Sequence, residues 1–230
     1  MPETELHILG GGGIADALDE IAAGFERAHG LPIVLRYGTL PQLIDMARRG
    51  VPFDLAVVPR DVLDDAAVRA LIVPDSIRAV ARAGIGVAVR LGAPMPDIGT
   101  PEALKRTLLA AGAVASIPAS ATGARIAEIY AELGIEAEMA ARTRVQPGPK
   151  QIADAVAKGE AELGLFLLNV LIDPRLAIVG PVPAELQREL VYDLALAANA
   201  HAPEAARAFA AFMLSSEAAE VIREKGMQAG

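Results

Sequence analysis

Short apolar runs alternate with amphipathic helical patterns along nearly the whole chain, and this alternation most constrains the fold. The runs at 6–9, 54–59 and 163–168 are four to six residues long, as buried strands usually are. Between such runs, apolar residues recur at helical spacing, for example over 14–28, where Gly30 then predicts the helix end. Strands that alternate with helices predict an α/β fold with mainly parallel sheets.

The amino-acid composition agrees with helices packed on parallel sheets. Apolar residues make up 53% of the 230 residues, but aromatic residues only 3%, so Ala, Val, Leu and Ile must build the core. The length allows one large domain or two small lobes. Extended segments at 81–86 and 190–198 suggest that the chain crosses twice between lobes. We therefore predict lobe I at 1–82 and 194–230, and lobe II at 83–193.

Several classes of function are disfavoured by composition. The net charge is −8 and no basic stripe is visible, so a nucleic-acid partner is not expected. The absence of cysteine excludes thiolate zinc sites, disulfides and cysteine nucleophiles, and three scattered histidines do not predict a metal site. No cofactor motif is found, and the sequence identifies no catalytic residue. No apolar run is long enough to predict membrane insertion.

The start of the chain carries no recognisable export signal. Met1-Pro2-Glu3-Thr4-Glu5 is short and acidic, unlike the basic start of a signal peptide. We expect a cytoplasmic protein if the chain is full length, and a periplasmic one if a leader was removed.

A run of four glycines separates the first predicted strand from the helix that follows it. These residues are Gly10, Gly11, Gly12 and Gly13. A helix N-terminus carries a partial positive charge and unpaired amides, and glycines leave these open to an anion. A tight turn would need only one glycine, whereas four favour binding. The spacing is not that of a dinucleotide fingerprint. Gly11, Gly12 and Gly13 are candidate ligand-binding residues.

The end of the second predicted strand adds further candidates. Tyr37, Gly38 and Thr39 lead into a helix, where Tyr37 offers a phenol and Thr39 can cap the helix and contact a ligand. Arg36 points to the opposite side of the strand from Tyr37, and is either a ligand clamp or a surface charge.

A corresponding loop follows a strand in the second half of the chain. This loop offers ligand-binding groups at the start of a helix. Hydroxyls come from Ser120 and Thr122, and a backbone amide comes from Gly123. Arg125 lies in the first turn, where the helix dipole disfavours a cation, so it either binds a ligand carboxylate or pairs with Glu128.

Two more predicted ligand contacts follow strands in this half. Lys150 comes after the loop Pro147-Gly148-Pro149, and Asn169 follows the buried strand at 163–168. Asn169 either offers its amide to the ligand or caps the next turn. Tyr192 and Asp193 lie at the return crossing, where we expect structural roles.

In the order and spacing of these features, the chain resembles the molybdate-binding proteins of ABC transporters over nearly its whole length. The features that carry the resemblance are the glycine loop at 10–13, Tyr37-Gly38-Thr39, Pro52-Phe53-Asp54, Thr122-Gly123 with Tyr130, Gly159-Glu160-Ala161-Glu162, and Ser215-Ser216-Glu217. The resemblance implies a two-lobed, type 2 periplasmic-binding-protein fold with two hinge crossings. Each lobe is then a mainly parallel sheet flanked by helices, and the protein closes on a small anion in the cleft between the lobes.

The residues depart from the family's oxyanion site. By the resemblance, the positions that carry its hydroxyls fall on Gly13, near Leu40 with Thr39 beside it, and on Leu167. One amide donor falls on Pro149, which has no N–H. Molybdate itself is therefore disfavoured. We expect a solute-binding protein for a carboxylate or another oxyanion, with an ABC permease as partner if the protein is exported.

An enzyme on the same scaffold is the alternative. The resemblance extends to isomerases of unsaturated tricarboxylates, such as aconitate isomerase. Arg36, Arg125 and Lys150 would then clamp carboxylates, and Tyr37 or a lysine would move the proton. A sensor lobe of a regulator is a third possibility, which the lack of a helix-turn-helix pattern makes less favoured.

Overall fold

The computed structural model describes residues 5–230, and the chain divides into two compact units. Unit 1 comprises the chain up to Arg82 together with Leu190–Gly230, and unit 2 comprises Ala83–Glu189. The sequence predicts lobe boundaries at 82/83 and 193/194, and that division stays a prediction. The second predicted boundary, at 193/194, falls inside a strand that begins at Leu190.

Strands form in both units at nearly all of the predicted positions. In chain order they are β1 Leu6–Gly11, β2 Ile33–Gly38, β3 Leu55–Pro59, β4 Arg78–Ala83, β5 Ile85–Arg90, β6 Val114–Ser116, β7 Thr143–Val145, β8 Leu163–Leu167, β9 Leu176–Pro181, β10 Leu190–Leu196 and β11 Gln228–Ala229. One sheet has the order β11-β4-β10-β3-β1-β2, and the other has the order β7-β6-β8-β5-β9.

Helices follow most of the strands. They are α1 Ala15–His29, α2 Leu40–Arg48, α3 Arg60–Leu63, α4 Ala66–Arg69, α5 Pro101–Ala110, α6 Ala121–Leu133, α7 Glu136–Arg142, α8 Pro149–Ala157, α9 Pro203–Met213 and α10 Ser216–Glu224. A 3₁₀ turn, Gly12–Ile14, leads into α1, and another, Leu168–Leu171, follows β8. None of the helices within residues 5–230 combines the length and the apolar character needed to cross a bilayer.

Both sheets are mixed, with parallel strands at the places that the helical crossovers require. β1 pairs in parallel with β2 on one side and with β3 on the other, and β6 does the same with β7 and β8. β10 adds to β3 in the antiparallel direction, and β5 adds to β8 in the same way. Parallel strands with helical crossovers place the strand-to-helix loops of each unit at one edge of its sheet.

Helix α1 shows how periodicity becomes packing in unit 1. Leu18, Ile21 and Phe25 lie on its buried face, and the Phe25 ring packs edge-on against Phe209 of α9 at 5.2 Å. The helix ends as predicted, because Gly30 takes the left-handed conformation with φ of 66°. This packing fixes the position of the α1 N-terminus, which follows directly on the glycine loop.

A buried carboxylate ties three segments of unit 1 together. The Asp54 side chain is 0% exposed, and its Oδ2 accepts from the His7 amide at 2.8 Å. Its Oδ1 accepts from the amides of His201 and Ala202 at 2.7 and 2.9 Å, just before α9. Asp54 therefore holds β1 and the start of α9 beside β3, which is why a charged residue opens an otherwise apolar strand.

Two predictions of secondary structure were wrong. The apolar residues at 62–71 predict a single helix, but the structure has two short helices, α3 and α4, because Asp65 caps α4 by accepting from the Ala67 and Val68 amides. Helix α7 was not predicted at all. It begins just after Gly134, whose left-handed conformation ends α6.

Candidate functional site

The sequence predicted that the four glycines form one loop. The structure divides them between a strand and a turn. Gly10 and Gly11 belong to β1, while Gly12 and Gly13 open the turn that enters α1. Glycine is needed in the strand for steric reasons. A Cβ atom on Gly10 would lie 2.5 Å from the Tyr37 ring, and one on Gly11 would lie 2.9 Å from the Tyr192 ring. Two of the four glycines thus have a packing role that sequence alone did not reveal.

The glycine corner, residues 10–13, presents the start of a helix without a side-chain cap. Gly11 is the N-cap of the turn Gly12–Ile14 and has no side chain with which to cover the first amides. The helix dipole of the following α1 favours negative charge at this point. Ligand binding by Gly11, Gly12 and Gly13 remains a prediction.

The glycine corner lies at the switch point of the unit 1 sheet. β1 lies between its parallel neighbours β2 and β3, with Gly11 opposite Gly38 and with Gly10 opposite Val57. The carboxyl ends of all three strands therefore meet at one edge, where open α/β sheets bind their ligands. This edge also carries Thr39 and Arg60, which directly follow β2 and β3.

Arg60 is the candidate residue that the sequence analysis missed. Its Nε and Nη2 donate to the two Asp193 oxygens at 2.7 and 3.0 Å. The Asp193 side chain is 1% exposed, whereas that of Arg60 is 54% exposed. The carboxylate raises the pKa of Arg60 and orients its guanidinium, whose Nη1 takes no part in this two-bond contact. The available signal was an arginine directly after the buried strand 54–59.

The other candidates of unit 1 are already engaged. The Tyr37 hydroxyl donates to Asp19 Oδ1 at 2.6 Å, on α1. Thr39 caps α2, and its amide donates to the Gln42 side chain at 2.8 Å. Arg36 Nη1 lies 2.7 Å from His7 Nδ1, which agrees with the surface alternative rather than with a ligand clamp. Arg60 therefore replaces Arg36 and Tyr37 as the polar group best suited to bind a ligand here.

Burial raises the pKa of all three tyrosines, Tyr37, Tyr130 and Tyr192, and the hydrogen bond to Asp19 raises that of Tyr37 further. Only the unfolded chain then ionises near the ordinary pKa of about 10. The tyrosine contribution to stability is therefore unchanged below this pH and is lost as the pH rises beyond it. We expect phenolate absorbance to appear together with the loss of far-ultraviolet circular dichroism. A phenolate signal at pH 10 in the folded protein would contradict this.

Unit 2 has a serine corner, residues 120–123, at the start of α6. Ser120 Oγ accepts from the Gly123 amide at 2.9 Å and donates to the Ile117 carbonyl at 2.7 Å, so its hydroxyl serves as the helix cap. A Cβ atom on Gly123 would lie 2.2 Å from the Ile117 oxygen, so only glycine fits. Thr122 is 3% exposed, so its hydroxyl is not presented at the surface of this corner.

The remaining candidates of unit 2 come to one edge of its sheet. Because β6 lies between parallel β7 and β8, the loops after these strands meet at a second switch point. They carry the serine corner, the exposed Lys150 in the first turn of α8, and the partly buried Asn169. Arg125 Nη1 lies 3.5 Å from Glu128 Oε1, which is the surface pairing that the sequence left open as an alternative.

A metal centre is not formed by the part of the chain that the structure describes. No group of three or more His, Cys, Asp or Glu side chains in residues 5–230 is arranged to hold an ion. The polar groups that lie at the two switch points are backbone amides and the cationic side chains of Arg60 and Lys150.

The fold and the two switch points define the class of protein. The chain has the two-lobed, type 2 periplasmic-binding-protein fold, as predicted. It matches the Azotobacter vinelandii periplasmic molybdate-binding protein with a TM-score of 0.77 and 17% identity, covering 97% of this chain and 98% of that one. The sulfate-binding protein SubI from Mycobacterium tuberculosis matches with a TM-score of 0.76 and 16% identity, covering 98% and 87%. At such identities the likeness establishes the fold.

The chain belongs to the family of bacterial extracellular solute-binding proteins, which matches residues 6–228. Among named relatives, an aconitate isomerase from Pseudomonas sp. is 32% identical over 234 residues, covering 99% of this chain and 88% of that protein. Both of the resemblances that the sequence suggested are therefore confirmed, to solute-binding proteins and to aconitate isomerase.

Proposed function

We propose that this protein is a solute-binding protein whose ligand is a small anion, and more narrowly a small carboxylate. The observation that carries the proposal is an uncapped helix start, the glycine corner, at the switch point of the unit 1 sheet. Backbone amides and a helix dipole favour negative charge there. Similar structures include proteins named for binding molybdate and sulfate, which supports an anion as the ligand.

Arg60 supports a carboxylate over a tetrahedral oxyanion. A guanidinium that a buried carboxylate already holds in place offers its remaining N–H groups in a fixed plane. Planar donors match the two oxygens of a ligand carboxylate. By the local spacing of the sequence, the hydroxyl-bearing positions of the molybdate site correspond to Gly13, to the neighbourhood of Leu40 with Thr39 beside it, and to Leu167. The similarity to an aconitate isomerase also favours a di- or tricarboxylate.

In unit 2, the proposal assigns ligand contacts to backbone amides of the serine corner and to Lys150. Ser120 contributes by fixing the start of α6 rather than by donating its own hydroxyl. The predicted location of the ligand in a cleft between the lobes stays a prediction. Two further points also stay predictions. If the protein is exported, an ABC permease is its expected partner and the periplasm is its expected location.

A thermal-shift screen tests the ligand class. Molybdate, sulfate, phosphate, succinate, citrate, cis-aconitate and trans-aconitate should each be added at equal ionic strength. A ligand present at 100 times its Kd stabilises the folded state by about 2.7 kcal/mol. We expect the largest rise in melting temperature from a di- or tricarboxylate. A rise with molybdate or sulfate alone would contradict the carboxylate, and no rise with any anion would contradict anion binding.

An isomerase of an unsaturated carboxylate is the second candidate, and the 32% identity to an aconitate isomerase favours it. Moving a double bond requires a base beside an allylic carbon. Tyr37 is poorly suited, because burial and the bond to Asp19 raise its pKa. Proton NMR of cis- and trans-aconitate with the protein in D₂O separates the two functions. Interconversion of the two acids would indicate the isomerase, whereas binding without interconversion supports a pure binding protein.

A further inference from the structure

A cavity of about 420 Å³ lies within unit 2. Its walls come from β6, β7, α6 and α7, and among the lining residues Val145 is 68% exposed. Its volume falls within the range of about 300 to 1,000 Å³ that is usual for small-molecule sites. The walls are mainly apolar, with Ile126 and Ala127 of α6 among them.

Ser116 supplies the first observation that points to a ligand. It ends β6, lies in the cavity wall and is 2% exposed, and its Oγ has no hydrogen-bond partner within residues 5–230. A buried hydroxyl without a partner is disfavoured, and most such groups in proteins are satisfied. No hydrogen bond holds this Oγ in its present rotamer, so it is free to turn towards a ligand.

Tyr130 supplies a second hydroxyl in the same wall. It is 8% exposed, and its hydroxyl likewise lacks a hydrogen bond of standard geometry to any described residue. Thr143 is the nearby polar side chain, and its Oγ1, which donates to the Met139 carbonyl at 2.7 Å, can still accept a weak hydrogen bond from the Tyr130 phenol. The raised pKa of Tyr130 keeps the phenol neutral and able to donate.

The charge of the cavity excludes the kind of ligand proposed for the switch points. Of the described residues that line it, none is Arg or Lys, and Glu136 is exposed at its rim. An anion would lose its hydration there without a compensating cation. We propose that this cavity binds a small, uncharged, mainly apolar molecule whose hydroxyl or carbonyl group hydrogen-bonds to Ser116 or Tyr130.

Titration with 4-methylphenol and with toluene tests this proposal. The two probes share their apolar part, and only the first can form the hydrogen bond. Amide shifts of the ¹⁵N-labelled protein should report binding at Ala127 and Val145, with 4-methylphenol favoured about two- to tenfold. In the double variant Ser116→Ala, Tyr130→Phe the preference should vanish. Its melting temperature should change little, because Ser116 Oγ has no partner within residues 5–230 and Tyr130 has only a weak contact with Thr143. Equal affinities in the wild type, shifts elsewhere, or a markedly less stable variant would overturn the proposal.

A matched pair of substitutions on α6 tests the location. Ala127 lines the cavity, whereas Ala131, one turn further along, does not, and both are exposed. The substitution Ala127→Leu should fill the cavity and abolish the amide shifts caused by 4-methylphenol. The substitution Ala131→Leu should leave these shifts unchanged. Binding that survives Ala127→Leu, or that is lost in Ala131→Leu, would place the probe outside this cavity.

Discussion

Replacing Asp54 by alanine should lower the free energy of unfolding by about 4 kcal/mol, the largest stability effect that we expect. The substitution removes the acceptor of three backbone amides, those of His7, His201 and Ala202. These donors lie in a region where Asp54 itself is fully buried, so water does not readily replace the carboxylate. Urea unfolding followed by circular dichroism measures the change.

Two further variants separate the hydrogen bonds from general effects of a lost charge. Asp54→Asn keeps one carbonyl oxygen and should cost about half as much, because at least one amide then lacks its acceptor. Asp45→Ala removes an exposed carboxylate that pairs with Arg49 on the same helix, and should cost less than about 0.5 kcal/mol. Native hydrogen exchange of the Ala202 amide should accelerate only in the Asp54 variants. A loss below about 1 kcal/mol in Asp54→Ala would show that the three amides find other partners.

Most of the fold could be predicted from the sequence because its elements follow local patterns. Helix α1 has a clear apolar face and ends at Gly30, and β3 is an uninterrupted apolar run between charged residues. Helix α7 lacks such a pattern. It has only seven residues, of which Met139 alone is buried, so the 3.6-residue period is too short to be recognised. Asp65 has the residue type of a helix cap, but the apolar residues on either side of it suggested one continuous helix.

Only those parts of the candidate site that lie within a single strand-to-helix connection could be predicted from the sequence. The glycine and serine corners each connect a strand to a helix, and this connection can be read from adjacent residues. Arg60 depends on Asp193, which lies 133 residues further along the chain and reaches it through antiparallel pairing of β10 with β3. Tyr37 turned towards Asp19 because of the packing of α1, and strand alternation alone does not specify that contact.

Arg60→Ala should lower the affinity for the carboxylate that gives the largest thermal shift by about 10- to 100-fold. This is the range expected for the loss of hydrogen bonds to a charged group. Asp193 is buried although Arg60 is half exposed, so the variant leaves a buried carboxylate without its partner and should also lose about 3 kcal/mol of stability. Isothermal titration calorimetry on the folded variant, at a temperature well below its melting point, measures the affinity.

Comparison of three further variants shows whether Arg60 acts through its geometry, its charge or neither. Arg60→Lys keeps the charge but loses the planar donors, so its affinity should fall between those of the wild type and Arg60→Ala. Asp193→Asn weakens the contact that orients Arg60 and should cost affinity without removing the cation. Arg49→Ala removes an exposed arginine of the same unit and should bind within twofold of the wild type. Equal losses in Arg60→Ala and Arg49→Ala would mean that net charge alone attracts the anion. Unchanged affinity in Arg60→Ala would remove this residue from the site and leave the backbone amides of the two corners to account for binding.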